Sequence, residues 1–347
     1  MVAVTSERYG RRRPMMRTMH DILRLANAFC ESQALLSAVE LDLFGALRDG
    51  PATERDLRLR LGLHGRGLPD LLRLLVVLGL LHEDGGRYRN AEVADRHLVG
   101  GGPGYAGGAL LGVKANLYPL WGELTETLRT GRPRSASDDF AAMLDDPDEL
   151  RRYTRMMDGT LQPLVPELLK AVDWAAYRSF LDIGGCRGDL AGQLVQAYPH
   201  LTGHVFDLPQ LEPLFDEHMA DQGTTGGVIF HSGDFFADPL PQADVLILGH
   251  VLHNWSRDRR EQLMRAAFRA VRPGGVLVVH DRMIDAARPT VDNLVTSLVM
   301  ALVTEEGEEY AIDEVIELAE SAGFASASHQ PLDDNETLVV CRTSGRS

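Results

Sequence analysis

The chain has 347 residues, 44% of them hydrophobic, and a formal net charge of −15 at pH 7. A chain of this length can bury one large core or two modest ones. The negative charge disfavours nucleic acid and anionic membranes as partners, so we expect neither.

The three cysteines, Cys30, Cys186 and Cys341, are far apart and form no Cys-x-x-Cys pair. This usage indicates a reducing compartment and gives no reason to expect a metal site. The N-terminal segment "RRRPMMRTMH" lacks the apolar stretch of a signal peptide. The longest nearly apolar run, 71–81, is too short to span a bilayer. The sequence therefore predicts a cytoplasmic protein.

The first hundred residues predict helices followed by a small hairpin. Helical periodicity covers "ILRLANAFCESQALLSAVELDLFGAL", and "ATERDLRLRLGL" predicts a short helix capped near Thr53. A more buried helix, "LPDLLRLLVVLGLL", precedes "HEDGGRYRN", whose Gly-Gly pair favours a hairpin. Helix, turn, helix and hairpin form a winged-helix pattern.

A winged helix binds DNA in some proteins and serves as a packing or dimerisation module in others. The candidate recognition helix, 68–79, carries Arg73 as its only basic residue. Because such a helix could neutralise few phosphates, the sequence favours the packing role. A regulator that senses a small molecule stays as the alternative from another functional class.

Beyond a glycine-rich joint at 99–108, residues 109–172 are predicted to be mostly helical, and strands alternate with helices from Ala175 onwards. The predicted strands are "SFLDIGG", "TGHVFDL", "GVIFHSGD", "ADVLILGHVL", "GGVLVVHD", "SASHQPL" and "TLVVCRT". This alternation predicts an α/β domain with a doubly wound parallel sheet, closed by an antiparallel pair.

The turn after the first of these strands carries Gly184 and Gly188 in "DIGGCRGD". Ligands of parallel sheets bind at the carboxyl ends of the strands, where glycines allow close approach to the backbone. Asp207 follows about 20 residues later, where an acidic side chain can bind ribose hydroxyls. Asp234 and Phe235 follow the third strand and could contact an adenine ring. The joint pattern predicts a nucleotide-like cofactor without phosphates.

The segments "LDIGGCRGDLA", "FDLPQ", "GDFFADPLPQADVLILGHVLHNW" and "AVRPGGVLVVHD" resemble, in order and spacing, the S-adenosylmethionine-dependent small-molecule O-methyltransferases. That family includes caffeate-type, hydroxyindole-type and bacterial polyketide-tailoring members. The likeness also covers "VELDLFGAL" and "LVVLGLLHEDGGRYRN" near the N-terminus.

The resemblance implies a seven-stranded, Rossmann-like class I methyltransferase domain at 175–347. It also implies a winged-helix dimerisation domain at 1–108, through which the chain forms a homodimer, and helices at 109–174 that link the two and line the acceptor pocket. The implied cofactor is S-adenosyl-L-methionine. The implied cofactor-binding residues are Asp182, Gly184, Gly185, Cys186, Gly188, Asp207, Leu208, Gly233, Asp234, Phe235, Gly249 and His250.

Methyl transfer to a phenol requires alignment, exclusion of water and removal of a proton, and histidine is a suitable base near neutral pH. The resemblance places the general base at His253 of "HVLHNW", with Asp281 and Glu309 orienting it. His250 is expected to line the pocket. Glu309 lies in an acidic run, "EEGEE", which is equally compatible with a solvated loop.

The expected acceptor is a small aromatic molecule, as in secondary metabolism and antibiotic biosynthesis, held by apolar and aromatic side chains. The candidate acceptor-binding residues are Tyr118, Trp121, Met156, Met157, Asn254 and Met300. Methylation of an activated aromatic carbon, or non-methylating chemistry with the same cofactor, are the alternatives within this fold.

The chain departs from the family pattern at four places. Cys186 replaces a glycine, Asn254 replaces an aspartate, and Gly249 stands where many members have lysine. The loop with Glu309 has Glu305-Glu306-Gly307 in place of a glycine pair. We expect Cys186 to adjust cofactor binding rather than abolish it, because its Cβ narrows the allowed φ range.

Overall fold

The computed structural model describes residues 17–102, 104–133 and 142–345. Parts of the expected N-terminal segment (11–16), glycine-rich joint (Pro103) and helical region (134–141) lie outside them. The chain divides into two compact units between Gly122 and Glu123. The expected division at 108 and 174 stays a prediction.

The N-terminal unit combines helices with a three-stranded antiparallel sheet of order β1-β3-β2. The strands are Ala52–Thr53 (β1), Leu81–Asp84 (β2) and Arg87–Asn90 (β3). The helices are Met19–Ala26, Ala28–Glu40, Glu54–Arg60, Leu68–Val77, Glu92–Leu98, Gly107–Gly112 and Tyr118–Trp121, with a 3₁₀ turn at Gly45–Leu47 and a π-helical turn at Val113–Leu117.

The predicted winged-helix arrangement is confirmed in this unit. Thr53 caps its helix through a reciprocal bond with Asp56, as the sequence indicated. Gly85 and Gly86 both have positive φ, 55° and 77°, which a two-residue hairpin of this type requires. The expected first helix is two helices, which meet at Asn27.

The second unit holds a seven-stranded sheet of order β6-β5-β4-β7-β8-β10-β9. Its strands are Ser179–Ile183 (β4), Thr202–Asp207 (β5), Val228–Ser232 (β6), Ala243–Gly249 (β7), Val271–Asp281 (β8), Ser326–Pro331 (β9) and Thr337–Arg342 (β10). Strands β4 to β8 run parallel, and β10 pairs antiparallel with β8 and β9. The expected doubly wound sheet with a closing antiparallel pair is confirmed.

Helices cover both faces of this sheet because its central strands are apolar on both sides. Leu246 and Leu248 of β7 pack into one buried core, and Val245 and Ile247 into the other. The helices of this unit are Leu124–Thr130, Pro147–Leu161, Val165–Ala171, Asp189–Ala197, Glu212–Gln222, Arg257–Ala270, Val291–Val303 and Ile312–Ala322. Among the described helices of both units, none is long and apolar enough to cross a membrane.

Candidate active site

A cavity of about 640 Å³ opens at the carboxyl ends of β4, β5 and β7. Successive strands are added on one side of β4 up to β6 and on its other side from β7 onwards. Doubly wound sheets bind ligands at such a switch point. The cavity has the volume of a small-molecule site. Its lining includes glycines, two aspartates and several aromatic side chains, among them Gly184, Asp207, Asp234, Phe235, Tyr153 and Trp255.

The turn after β4 exposes backbone to this cavity. Gly184, Cys186 and Gly188 have positive φ of 71°, 57° and 79°. Glycine adopts this conformation freely, whereas Cys186 adopts it at a cost of about 1–2 kcal/mol. The turn places the backbone N–H of Cys186 2.8 Å from Asp207 Oδ2, to which it donates a hydrogen bond. The turn and the end of β5 are thereby joined.

Asp207 presents a carboxylate to the cavity. Its Oδ1 accepts the Leu208 N–H at 2.7 Å, so each oxygen keeps a further lone pair for a ligand. Burial raises the pKa of Asp207 to about 6, against the opposing effect of its two N–H bonds. Burial and the charge of Asp207 raise the pKa of Asp182, on the neighbouring strand, to about 7. A cationic ligand would favour the ionised form of both carboxyls.

An aromatic wall borders the cavity on the side of β7. Phe235 lies edge-on to Phe236 and Trp255, with ring centres 4.8 Å and 5.9 Å away. The guanidinium of Arg259 lies 4.6 Å from the Phe236 ring centre. Such a wall can hold a planar ring.

The helix Pro147–Leu161 supplies Leu150, Tyr153 and Met157 to the cavity. It is fastened to the glycine turn, since Arg187 Nε donates to Asp158 Oδ2 at 2.6 Å. The side chains of this pair are 16% and 13% exposed, so they interact more strongly than a surface pair would. The glycine turn and the helix Pro147–Leu161 therefore hold each other in place.

His253 stands in a 3₁₀ turn, Leu252–Asn254, shortly after β7. Its Nδ1 lies 2.9 Å from Glu309 Oε1 and 3.2 Å from Asp281 Oδ1. Asp281 ends β8, and Glu309 precedes the helix Ile312–Ala322. Because both carboxylates face Nδ1, the ring donates its Nδ1 proton to them, and Nε2 is left to accept one.

The three side chains of this cluster are nearly excluded from water. Burial by itself lowers the pKa of His253, but the charge of Asp281 and the hydrogen bond and charge of Glu309 outweigh it and raise the pKa to about 9. Burial raises the pKa of Asp281, while the charge of His253 lowers it. In the free protein the two carboxylates therefore favour the protonated form of His253.

His250 has a different environment, although its ring centre lies only 5.5 Å from that of His253. Burial lowers its pKa to about 3, and the pKa of the buried His280 to about 4. His280 also accounts for Gly249, because a Cβ at that position would lie 2.2 Å from His280 Nε2. The residue that stands in place of the family's lysine thus makes room for a histidine ring.

The imidazoles and carboxylates of this region also have metal-ligand chemistry. Ligand atoms of His250, His280 and Glu336 lie within 4.8 Å of one another. A guanidinium already serves as the cation here, since Arg282 Nε donates to Glu336 Oε1 at 3.1 Å. The expectation of a metal-free reaction stays a prediction.

The structure brings most predicted cofactor residues to one cavity. Those in its lining are Gly184, Cys186, Asp207, Leu208, Gly233, Asp234, Phe235, Gly249 and His250. Asp182, Gly185 and Gly188 belong to the same strand and turn but are not among the lining residues.

The predicted acceptor residues are more dispersed. Met157 and Asn254 line the cavity, whereas the half-exposed Met156 and the buried Met300 do not. Tyr118 and Trp121 belong to the N-terminal unit, and their role stays a prediction. His253, Asp281 and Glu309 come together beside the lining residue His250 without being part of the lining themselves.

Sequence reasoning did not select several residues of the cavity, namely Leu144, Leu150, Tyr153, Leu211, Phe236, Val251, Trp255, Arg259, Val303, Thr304, Glu305 and Glu306. For Trp255 a signal existed, because it ends the "HVLHNW" segment on which the resemblance rests. For Tyr153 the sequence offered none, since it lies within an ordinary amphipathic helix.

Comparison with known proteins agrees with this geometry. Residues 121–325 match the O-methyltransferase domain, and residues 23–100 match the O-methyltransferase dimerisation domain. The tetracenomycin polyketide synthesis 8-O-methyl transferase of Streptomyces glaucescens is 44% identical over 93% of this chain and 96% of that protein. An N,N-dimethyltransferase of Streptomyces rimosus is 38% identical over 92% and 95%.

Among solved structures, human N-acetylserotonin methyltransferase in complex with S-adenosylmethionine has a TM-score of 0.82 and 27% identity, over 96% of this chain and 100% of that chain. A doubly wound sheet with its cavity at this position is the arrangement in which such folds bind nucleotide-like cofactors. The chain belongs to the S-adenosylmethionine-dependent O-methyltransferase family. Its cofactor is S-adenosylmethionine.

Cys186→Gly should leave S-adenosylmethionine binding unchanged or tighten it. Removal of the Cβ of this lining residue lets a ligand approach the backbone more closely. For folding stability, relief of the strain at φ 57° offsets the loss of about 0.5–1 kcal/mol that a glycine's greater freedom in the unfolded chain causes. Isothermal titration calorimetry and thermal unfolding measure the two effects. Cys186→Ala is the matched control, because it keeps the Cβ; weaker binding by both variants would show that the thiol has a role of its own.

Affinity for S-adenosylmethionine should fall as the pH drops through about 6, the pKa of Asp207 in the free protein. The ligand is a cation and favours the ionised carboxylate. Below this pH, Asp207 must therefore lose its proton before the ligand binds. This costs up to about tenfold in affinity per pH unit. Calorimetry between pH 5 and 8 tests the slope. Asp207→Asn should bind weakly with a flatter profile, and an equal slope in both proteins would contradict the assignment.

Proposed function

We propose that this enzyme transfers the methyl group to a phenolic hydroxyl of an aromatic polyketide-type intermediate, with His253 as the general base. The observation that carries the proposal is the pair of carboxylates on Nδ1 of His253, at 2.9 Å and 3.2 Å. They fix the tautomer whose Nε2 can take the phenolic proton. The acceptor class follows the 44% identical relative, whose name refers to polyketide synthesis.

Bound S-adenosylmethionine supplies a methyl group on a positively charged sulfonium. A cation in the cavity opposes protonation of a neighbouring imidazole, so cofactor binding shifts the pKa of His253 downward from the value of about 9 in the free protein. This shift favours the neutral ring, which is the form that can act as a base. Asp281 and Glu309 then stabilise the imidazolium that forms as the phenol loses its proton.

The residues around the cavity have complementary roles in this proposal. Asp207 binds the ribose of the cofactor, and Asp234 and Phe235 contact its adenine. The glycine turn lies against the amino-acid end of the cofactor. The acceptor lies against Met157 and Asn254 of the cavity lining. A pocket lined by methionine adapts to planar rings of different shape.

An amine is the second candidate acceptor, because a 38% identical relative is named an N,N-dimethyltransferase. A neutral amine presents its lone pair without first losing a proton. Dependence on His253 therefore separates the two acceptors, since a phenol needs the base and an amine needs it far less.

The partner of the N-terminal unit is a second copy of this chain. Residues 23–100 match a dimerisation domain, and the helix Met19–Ala26 has no buried residue. Its apolar side chains Ile22 and Leu23 are 54% and 53% exposed, and Phe29 on the next helix is 56% exposed. An exposed apolar surface of this kind marks a protein interface.

His253→Ala should lower turnover of a phenolic acceptor by roughly 10²- to 10⁴-fold, the usual contribution of general-base catalysis. S-adenosylmethionine should still bind, because His253 does not line the cavity. Mass spectrometry of methylated products, with a panel of matched aromatic phenols and amines, measures the effect.

The pH profile supplies a control for this substitution. A phenol ionises near pH 10, so activity of the variant should recover partly at alkaline pH, where no base is needed. Turnover equal to that of the wild type at pH 7 would remove the general-base role, and loss of phenol and amine methylation alike would favour a structural role.

The double variant Leu23→Asp, Phe29→Asp should be monomeric, because two charges cannot be buried unpaired in an apolar interface. Light scattering coupled to gel filtration gives the mass. Ile229→Asp is the matched control, since Ile229 is 45% exposed in the other unit, and it should stay dimeric. A double variant that elutes as a dimer would contradict the proposed interface.

A further inference from the structure

Arg260 is a fully buried arginine, with 0% of its surface exposed. It lies near the start of the helix Arg257–Ala270, which follows the His253 turn. A buried guanidinium costs several kcal/mol unless its donors are paired. Its position beside the active site raises the question of what its bonds hold together.

Two segments of the active site meet at this side chain. Arg260 Nη1 donates to the carbonyl of Trp255 at 2.6 Å, two residues after His253. Its Nη2 donates to Glu308 Oε1 at 2.9 Å, next to Glu309. Its Nε donates to Glu314 Oε1 at 2.9 Å, in the helix that follows the Glu309 loop.

A fourth contact of Arg260 leads to Asp281. The guanidinium carbon of Arg260 lies 4.8 Å from the ring centre of Tyr310. The Tyr310 hydroxyl donates to Asp281 Oδ2 at 2.7 Å. A backbone hydrogen bond also joins the loop of Glu309 to the turn of His253, since the N–H of Glu308 donates to the carbonyl of His253 at 2.9 Å.

We propose that Arg260 is a positioning residue, which keeps Glu309 and Asp281 on Nδ1 of His253 by fastening the loop of Glu309 to the turn of His253. The inference rests on the proposed role of His253 as the base. Arg260 touches neither His253 nor the cavity, so it acts through Trp255, Glu308 and Tyr310.

A planar guanidinium suits this task because its donors point in fixed directions. Its three hydrogen bonds, to Trp255, Glu308 and Glu314, fix the distances between these segments. The ammonium group of a lysine could not do this equally well, because its donors have no fixed planar arrangement. Loosening the loop by even 1 Å would remove Glu309 from hydrogen-bond distance of His253, and a misplacement of that size can reduce turnover about a hundredfold.

The test is the titration of His253 itself, followed by NMR of the full-length protein labelled at histidine Cε1. His253→Gln identifies the signal. In the wild type it should titrate near pH 9. In Arg260→Met the midpoint should fall by roughly one pH unit or more, the effect of losing a carboxylate partner. Turnover of a phenolic acceptor should fall roughly tenfold to a hundredfold.

Arg257→Met is the matched control. Arg257 belongs to the same helix and pairs with Glu314 and Glu317 at 3.3 Å and 3.1 Å, but it is 54% exposed. Its removal should leave the His253 midpoint and turnover as in the wild type. The thermal shift caused by S-adenosylmethionine shows whether each variant keeps its fold.

Glu308→Gln covers the case in which Arg260→Met does not fold. The Glu308 side chain is 59% exposed, so its replacement weakens one bond of Arg260, from a charged to a neutral acceptor, without emptying the core. The midpoint should fall in the same direction by a smaller amount. The inference is overturned if the His253 midpoint in Arg260→Met equals that in the Arg257→Met control. If Arg260→Met is unfolded, the same comparison is made with Glu308→Gln.

Failure of this inference and failure of the proposed function give different results. If His253→Ala keeps wild-type turnover, the base assignment falls, while the NMR midpoints still decide what Arg260 positions. If His253→Ala is inactive and the Arg260→Met midpoint equals that of the control, only the Arg260 inference falls.

Discussion

Burial of charge at the carboxyl end of the sheet is the constraint on which the active site depends. The carboxylates of Asp281 and Glu309 have 0% exposed side chains, and isolated buried charges of this kind cost several kcal/mol each. His253 supplies the cation that both need, which is why its pKa rises in the free protein. In the proposed function, the same pairing favours the protonated base, and a cation in the neighbouring cavity opposes it. The charges that hold this site together in the free protein are thus the ones that the proposed reaction has to rebalance.

The departures from the family pattern have local physical reasons. Asn254 donates from Nδ2 to the carbonyls of His250 and Val251 at 3.1 Å and 3.4 Å, which an aspartate could not do because it lacks a donor. Gly307 lies where a Cβ would come within 2.7 Å of the His253 carbonyl, so this single glycine allows the loop to approach the turn. The substitutions change the contacts of the site while its charge arrangement remains.

Much of the fold could be predicted from the sequence, because the strand pattern and the spacing of the acids are local features. The choice of Glu309 over Glu308 came from the family resemblance and not from the residues themselves, since both belong to one acidic run and only the fold buries Glu309, which is 4% exposed. Arg260 was equally hidden in "RDRREQ", which resembles a solvated helix start. A signal was present in the helical spacing, because Arg260 continues the buried stripe of Leu263 and Ala267.

The glycine turn after β4 is fastened to the helix Pro147–Leu161, and this limits how freely either can change. Arg187 of the turn binds Asp158 of the helix that carries Met157, and Gln162 beyond that helix donates to Asp189 Oδ2 at 2.7 Å. Asp189 begins the helix that follows the turn, so Arg187 and Asp189 of "CRGD" are both bound to this side of the cavity. A shift of the Pro147–Leu161 helix to suit a larger acceptor would pull on the turn that holds Cys186 against Asp207. Acceptor size and cofactor affinity are therefore expected to change together in variants of this helix.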